Sequence, residues 1–327
     1  MRSTRKVFTL IGVGQAFQPD TASRQAGKPD LRKGFTLIEL LVVVAISGVM
    51  IGLLLCAVQG ARASAARAAC ASNLRQLALA IHGHEAVHGE LPQGCAAPPG
   101  SDPADPNYLL GSNWLMTLLP FVEQEALAAG IRDACRLPEP DYRAARLAFV
   151  DRVVPVFLCP ADGRKLGRAP NGEMFALTCY LGSAGTGLHE EDGLFHVDFR
   201  IKMADITDGT SNTLLIGERP PGPNGDASGW FIHEGTSLSP FTTLMATDDY
   251  RHNWPDKGCP GPGAPGGGPL RPGRLQNPCD RSHYWSLHPR GANFAFADGS
   301  VRFLPYSANG LLPALSTRAG GESVSLD

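Results

Sequence analysis

His84-Glu85-Ala86-Val87-His88 is the stretch of this chain whose residue types most directly spell chemistry. Two histidines four residues apart share one face of a helix and can bind zinc, and an acid between them can act as general base on a metal-bound water. Catalytic zinc takes three protein ligands and leaves a fourth position to water. His189, His196 and Glu218 carry the right donor types for the third place, but no spacing singles one out. Gly83 and Gly89 flank the motif and weaken a helix by about 1 kcal/mol each relative to Ala. A solvated helix end is therefore preferred to a zinc-dependent envelope hydrolase using His84-Glu85-x-x-His88, and no catalytic or metal-binding residue is assigned.

A second chemistry begins at Gly34-Phe35-Thr36-Leu37-Ile38-Glu39. Glu39 heads nineteen uncharged residues, Leu40 to Val58. As a helix they would span roughly 28 Å, close to a bilayer's hydrocarbon core. An acid near that core costs about 2.5–3.5 kcal/mol on insertion scales, so Glu39 calls for a cationic partner. A cut after Gly34 would create one, the α-amino group of Phe35, which a stacked neighbour could present. A secretory signal peptide fits less well, because its apolar run is about 7–15 residues.

Other reactive-looking stretches have plainer readings. Asp208-Gly209-Thr210-Ser211-Asn212 and Asp298-Gly299 offer hard oxygens, yet these residue types form turns by local hydrogen bonding. One Asp also falls far short of the 6–8 oxygens that Ca²⁺ takes. Gly182 to Gly187 lacks the Lys and the strand–helix context of a phosphate loop. Of eight cysteines, Cys56 falls in the span and Cys70 on the following helix, leaving six in the body and fifteen pairings among them. Cys259 and Cys279 bracket a Gly/Pro-rich loop and are the expected disulfide; closing that loop is worth about 3 kcal/mol in the chain-entropy model.

The elements that position these groups follow from pattern. The apolar span and the Pro-free, Ala-rich stretch after it read as one long helix ending at Leu91-Pro92. Cys70, Leu74, Leu77, Ala78 and Ile81 make its apolar stripe. Asn113 to Ala128 reads as a short helical segment broken at Pro120, and Val153–Leu158, Ala176–Leu181, Thr213–Gly217 and Trp230–Ile232 read as strands. Asn293–Ala297 and Ser300–Leu304 flank Asp298-Gly299, a hairpin signal that points Phe294, Phe296, Val301 and Phe303 at a core. Gly (38) and Pro (27) predict a loop-rich body, and a net charge of −2 gives no reason to expect nucleic acid as a partner. The basic excess before Phe35 marks that end as cytoplasmic.

Gly34 to Glu39 with the run behind it resembles the N-terminal signature of type IV pilins and pseudopilins. The resemblance implies a leader cut at Gly34/Phe35 by a prepilin peptidase, methylation of Phe35, and Glu39 as the acid that registers subunits in a filament. It also implies inner-membrane lipid, other pilin-like subunits and an assembly platform as partners. Some pseudopilins hold calcium with C-terminal loop acids, the one cofactor the resemblance raises. A second resemblance starts at Cys70-Ala71-Ser72-Asn73-Leu74-Arg75-Gln76-Leu77. It continues through Leu118-Leu119-Pro120-Phe121, Val156-Phe157-Leu158-Cys159-Pro160 and Ile206-Thr207-Asp208-Gly209-Thr210-Ser211-Asn212-Thr213. It closes on His288, nine residues, then Asp298-Gly299. These pieces resemble bacterial pilin-like proteins with a large C-terminal domain of unknown function and a His-X9-Asp-Gly signature. His288, Asp298, Gly299, Asp208 and Gly209 are then motif residues, with His288 expected to fix the hairpin.

Together these readings predict an α+β, pilin-like fold: a long N-terminal transmembrane helix packed on a mostly antiparallel sheet with loop-rich insertions. The expected parts are a leader (1–34), a transmembrane half-helix (35–58), an exported half-helix (59–91), a globular domain (92–304) and a C-terminal tail (305–327). The expected role is a structural subunit of a type IV pilus or type II secretion-like system, single-pass in the bacterial inner membrane, with its body in the periplasm or at the cell surface. The alternative is an envelope-anchored binding protein that never polymerises.

Overall fold

A computed structural model describes residues 34–96, 112–135, 148–169, 172–187, 190–196, 200–225, 228–231, 243–248, 259, 268–322 and 324. The leader before Gly34, together with His189, Ile232 and the side chain of Cys135, lies outside the described residues. The chain divides into two compact units, Met1–Leu55 and Cys56–Asp327.

In the first unit the described backbone is one helix. α1 is continuous from Leu37 to His88, 52 residues, so it also enters the second unit. Between Phe35 and Leu55 its large apolar side chains are exposed, Leu37 by 80% and Leu53 by 70%. This is the one helix among the described residues long and apolar enough to cross a membrane.

In the second unit the same helix changes character. Cys70, Leu74, Leu77, Ala78 and Ile81 are buried at helical spacing and join the main core, as their stripe predicts. The helix ends at His88, three residues before Leu91-Pro92, because Gly89 adopts a left-handed φ of 75° and closes the last turn.

After α1 come β1 (Cys95–Ala96) and β2 (Ser112–Asn113), then α2 (Trp114–Leu118) and α3 (Glu125–Cys135). The Asn113 side chain caps α2 by accepting from the Met116 N–H at 3.0 Å. A 3₁₀ turn carrying Pro120, followed by Glu123 at φ 61°, separates the two helices where the sequence places a break. Strands β3 (Leu166–Arg168) and β4 (Met174–Ala176) form a small hairpin. The main sheet holds β5 (Tyr180–Ser183), β6 (Leu214–Glu218), β7 (Leu244–Met245), β8 (Gly291–Phe296) and β9 (Val301–Pro305). Its order is β7-β5-β6-β8-β9, antiparallel except for the β5–β7 pair.

The sheet has a core on each face. Tyr180, Ile216, Ala295 and Ala297 join the α1 side, while Leu181, Leu214, Phe294 and Phe296 form the other. A register shift between Leu214 and Ile216 breaks the alternation on β6, so that Leu215 and Ile216 both serve the first core. The hairpin around Asp298-Gly299 forms as β8–β9, with Phe294 opposite Arg302. Phe303 is half-buried beneath the Arg67 guanidinium, 5.0 Å above its ring, rather than in a core.

Three expectations need correction. Val153–Leu158 is not a strand: Pro155 fixes φ and removes a ladder donor, and Pro155–Phe157 makes a 3₁₀ turn closed by Leu158 N–H on Pro155 C=O at 3.1 Å. Trp230 sits beside an isolated bridge from Gly229 to Leu177 instead of in a strand. Residues 305–327 are not merely a tail. A turn at Tyr306–Leu311 leads into α4 (Leu312–Ser316), and Leu312 and Leu315 are fully buried in the second core. The Leu-Pro-Ala-Leu spacing puts both leucines on one face, a pattern too short to register as a helix by periodicity.

Removing the Leu315 side chain leaves a cavity, so Leu315→Ala should cost about 2–5 kcal/mol in denaturant unfolding. Leu311→Ala, at a residue 39% exposed, should cost under about 1 kcal/mol. Equal, small losses at both positions would contradict the packing of α4.

Candidate functional site

The head of α1 places the residues expected to act in processing and assembly. Gly34 and Phe35 precede the first turn and are exposed, Phe35 by 70%. Thr36 and Glu39 make a reciprocal cap. The Thr36 N–H and hydroxyl donate to Glu39 Oε2 at 2.9 and 2.8 Å, and the Glu39 N–H donates to Thr36 Oγ1 at 3.3 Å. The carboxylate thus lies one turn from the residue that a cut after Gly34 would make N-terminal. Its present partner is local, a hydroxyl and an amide that a stronger cationic partner could replace.

At the far end of α1, His84 and His88 stand on a real helix despite Gly83. A side chain at Gly83 would meet the Phe121 ring at 3.1 Å, so this glycine is a point of close packing. The two imidazoles stack at 4.1 Å. His84 Nδ1 bonds the Glu90 carbonyl at 3.1 Å, and His88 Nδ1 bonds the His84 carbonyl at 2.9 Å. They border a cavity of about 530 Å³ with Met116, Phe121, Ile131 and Arg132. His84 is buried and His88 exposed, so the solvated helix end describes only the second. Among the described residues no third histidine, cysteine or carboxylate converges on this pair. His196 Nε2 is engaged by the Gly193 carbonyl at 2.9 Å, and Glu218 lies in another cluster.

That other cluster is what sequence reasoning missed. Cys70 on α1 is bonded to Cys159, just after the Pro155 turn, across 89 residues. Cys70, on the helix, stands outside the six body cysteines among which pairing is expected, yet it takes one of them as partner. Around the disulfide, Asn73 Nδ2 donates to the Leu158 carbonyl at 2.7 Å, and the Tyr180 hydroxyl donates to the Cys70 carbonyl at 3.3 Å. His288 Nε2 lies 3.5 Å from Cys159 Sγ and 3.5 Å from Glu218 Oε1. Glu218, on β6, accepts from Asn293 N–H at 2.7 Å and from Asn293 Nδ2 at 3.0 Å. The Tyr180 hydroxyl is held well above its usual range by burial and by the Glu218 charge, and burial pushes the Cys179 thiol up to about 12. The signal was in the sequence: Cys70, Asn73, Leu158 and Cys159 all lie in the motif pieces quoted above.

The remaining motif residues are split. His288 does not bond across the β8–β9 hairpin; its backbone N–H donates to Ser286 Oγ at 2.9 Å, and Ser286 Oγ donates to the Gly291 carbonyl at 2.7 Å. Six strand residues, Gly291–Phe296, separate it from Asp298-Gly299 at the hairpin tip. There Asp298 Oδ1 accepts from Ser300 N–H at 2.8 Å and Gly299 takes φ 81°. Asp208 reaches the C-terminal segment: its two oxygens accept from Gly320 N–H at 2.7 Å and Gly321 N–H at 2.9 Å. Gly209, at φ 94°, turns the chain behind it. The Asp208 bonds thus fasten the C-terminal segment to the loop before β6. Cys259 is bonded to Cys279, with Cα atoms 5.3 Å apart.

A family model described as "Protein of unknown function (DUF1559)" matches residues 59–310 of this chain. The chain belongs to this family. A second model, the prokaryotic N-terminal methylation motif, matches residues 30–55. The protein is therefore type IV pilin-like with a C-terminal domain of unknown function, and its motif is that of exported pilin- or pseudopilin-type subunits. Such subunits are structural, and the motif implies processing by a prepilin peptidase, assembly with other subunits and inner-membrane anchoring. No curated protein and no solved structure matches the chain.

Three histidines of the body should make the fold sensitive to acid. Burial, more than any charge, lowers the pKa of His84, His196 and His283, with His88 and Arg318 adding to the effect at the first two. The unfolded chain then binds more protons below about pH 6.5, so stability is full above that pH and is lost as pH falls. Melting temperature should drop between pH 7.5 and 5.5, and a flat or rising profile would contradict this.

Proposed function

We propose that this protein is a pilin or pseudopilin subunit of a type IV pilus or type II secretion-like system. The leader is removed between Gly34 and Phe35, and Phe35 is methylated and keeps its positive charge. Residues 35–58 hold the mature chain in the inner membrane, and the body lies in the periplasm or at the cell surface. Prepilin peptidase with its methyltransferase activity, an assembly platform and further subunits are its partners.

The observation that carries this reading is Glu39 at the head of an exposed apolar helix. Apolar side chains from Phe35 to Val58 stand in the open on an isolated chain, and lipid or neighbouring helices would cover them. A lone carboxylate in that setting is costly, and the new Phe35 amine of an adjacent copy would offset it. His84 and His88 then serve packing at the end of α1, and the body contributes interaction surface rather than catalysis.

Mass spectrometry and N-terminal sequencing of the mature native protein should find methylated phenylalanine, residue 35, at the start; any other first residue would sink the proposal. Glu39→Ala should leave membrane insertion intact and abolish cross-linking between copies into filaments. Unchanged cross-linking would favour a non-polymerising anchored binding protein instead.

A further inference from the structure

We propose that Cys70, Cys159, Glu218 and His288 form a buried tetrahedral site for Zn²⁺ once the Cys70–Cys159 disulfide is reduced. One ligand atom from each of the four lies within 4.8 Å of the other three. All four residues are buried, none more than 5% exposed. They come from four separate places: α1, the loop after the Pro155 turn, β6, and the loop before β8. The fold itself brings them together.

The donor set and the spacing both suit zinc. Two thiolates, an imidazole and a carboxylate are ligands that zinc accepts in tetrahedral sites. Zn–ligand bonds of 2.0–2.3 Å put neighbouring tetrahedral ligands about 3.3–3.8 Å apart. His288 Nε2 already stands 3.5 Å from both Cys159 Sγ and Glu218 Oε1. The two sulfurs, now bonded, would need to part to about 3.8 Å. Asn293 holds the Glu218 carboxylate with two hydrogen bonds, the outer-shell support that ligating carboxylates require.

Charge points the same way. Glu218 is 1% exposed, and the His288 imidazole faces it with Nε2 at 3.5 Å. Buried carboxylates are paired or bound to metal, and a divalent ion would answer this one directly. Reduction balances with a dithiol as donor. Its thiols close to a disulfide, the Cys70–Cys159 bond becomes two thiols, and Zn²⁺ displaces their two protons as the thiolates bind. The same four residues thus offer two ways to hold α1 to the body, a covalent one under oxidising conditions and a metal one under reducing conditions.

Cobalt(II) titration of the full-length protein in detergent, after dithiol reduction and anaerobic removal of the dithiol, tests this. The reduced protein should show sulfur-to-cobalt charge-transfer bands and tetrahedral d–d bands that Zn²⁺ abolishes, and the oxidised protein should show neither. Glu218→Gln and His288→Ala should weaken cobalt binding at least ~10-fold, while His84→Ala and the Cys259→Ser/Cys279→Ser pair should leave it unchanged. The proposal is overturned if the reduced wild-type protein unfolds or binds no cobalt in this form. Charge-transfer bands that persist in the Cys70→Ser/Cys159→Ser pair, or vanish in Cys259→Ser/Cys279→Ser, overturn it equally, by assigning the thiolates elsewhere.

Discussion

One continuous helix that must shed its apolar surface in two different ways is the constraint on which this protein rests. From Leu40 to Val58 α1 carries no charge and is exposed on every side. From Cys70 to His84 it is apolar along one stripe, and that stripe is buried in the body. Hydrophobic burial scales with area removed from water, so the first stretch demands lipid or other helices while the second is satisfied within its own chain. Anchoring and folding are therefore two uses of one element, divided along its length.

The body is arranged to receive that stripe. The main sheet presents Tyr180, Ile216, Ala295 and Ala297 to the core that α1 joins. It presents Phe294 and Phe296 to a second core closed by α4. On β8 the two faces differ, Ala295 lying on the first side and Phe294 and Phe296 on the second. Directional bonds then fix what apolar contact leaves free to slide. The disulfide from Cys70, the Asn73 amide on the Leu158 carbonyl and the Tyr180 hydroxyl on the Cys70 carbonyl all act within two turns of the helix. In the chain-entropy model a disulfide closing a loop near this length contributes about 4–5 kcal/mol.

The motif residues make sense as fasteners. Asp208 ties the loop before β6 to the backbone near the C-terminus, and Arg318 reaches back to the Gly193 carbonyl at 3.0 Å and to Glu191. Glu218 joins β6 to Asn293 on β8 and faces His288. Residues far apart in sequence, each unremarkable alone, thus gather the ends of loops whose Gly and Pro content gives them little regular structure. His288 and Asp298, the two ends of the His-X9-Asp-Gly spacing, do separate jobs at opposite ends of one strand.

What the sequence determined by itself was everything governed by short-range order. The apolar run, the Glu39 position, the helical stripe from Cys70 to Ile81 and the Asp298-Gly299 hairpin depend on neighbours within one turn or one strand, and periodicity reports them. The same locality explains the errors at Val153–Leu158, where Pro155 overrode an apolar run, and at α4, where five residues are too few to show a period. Only the tertiary structure decided that Cys70 meets Cys159, that Glu218 and His288 close around them, and that Leu312 and Leu315 complete a core. Those pairings join residues tens to more than a hundred positions apart, and no local propensity encodes which distant partner wins; the packing of the sheet between its two cores does.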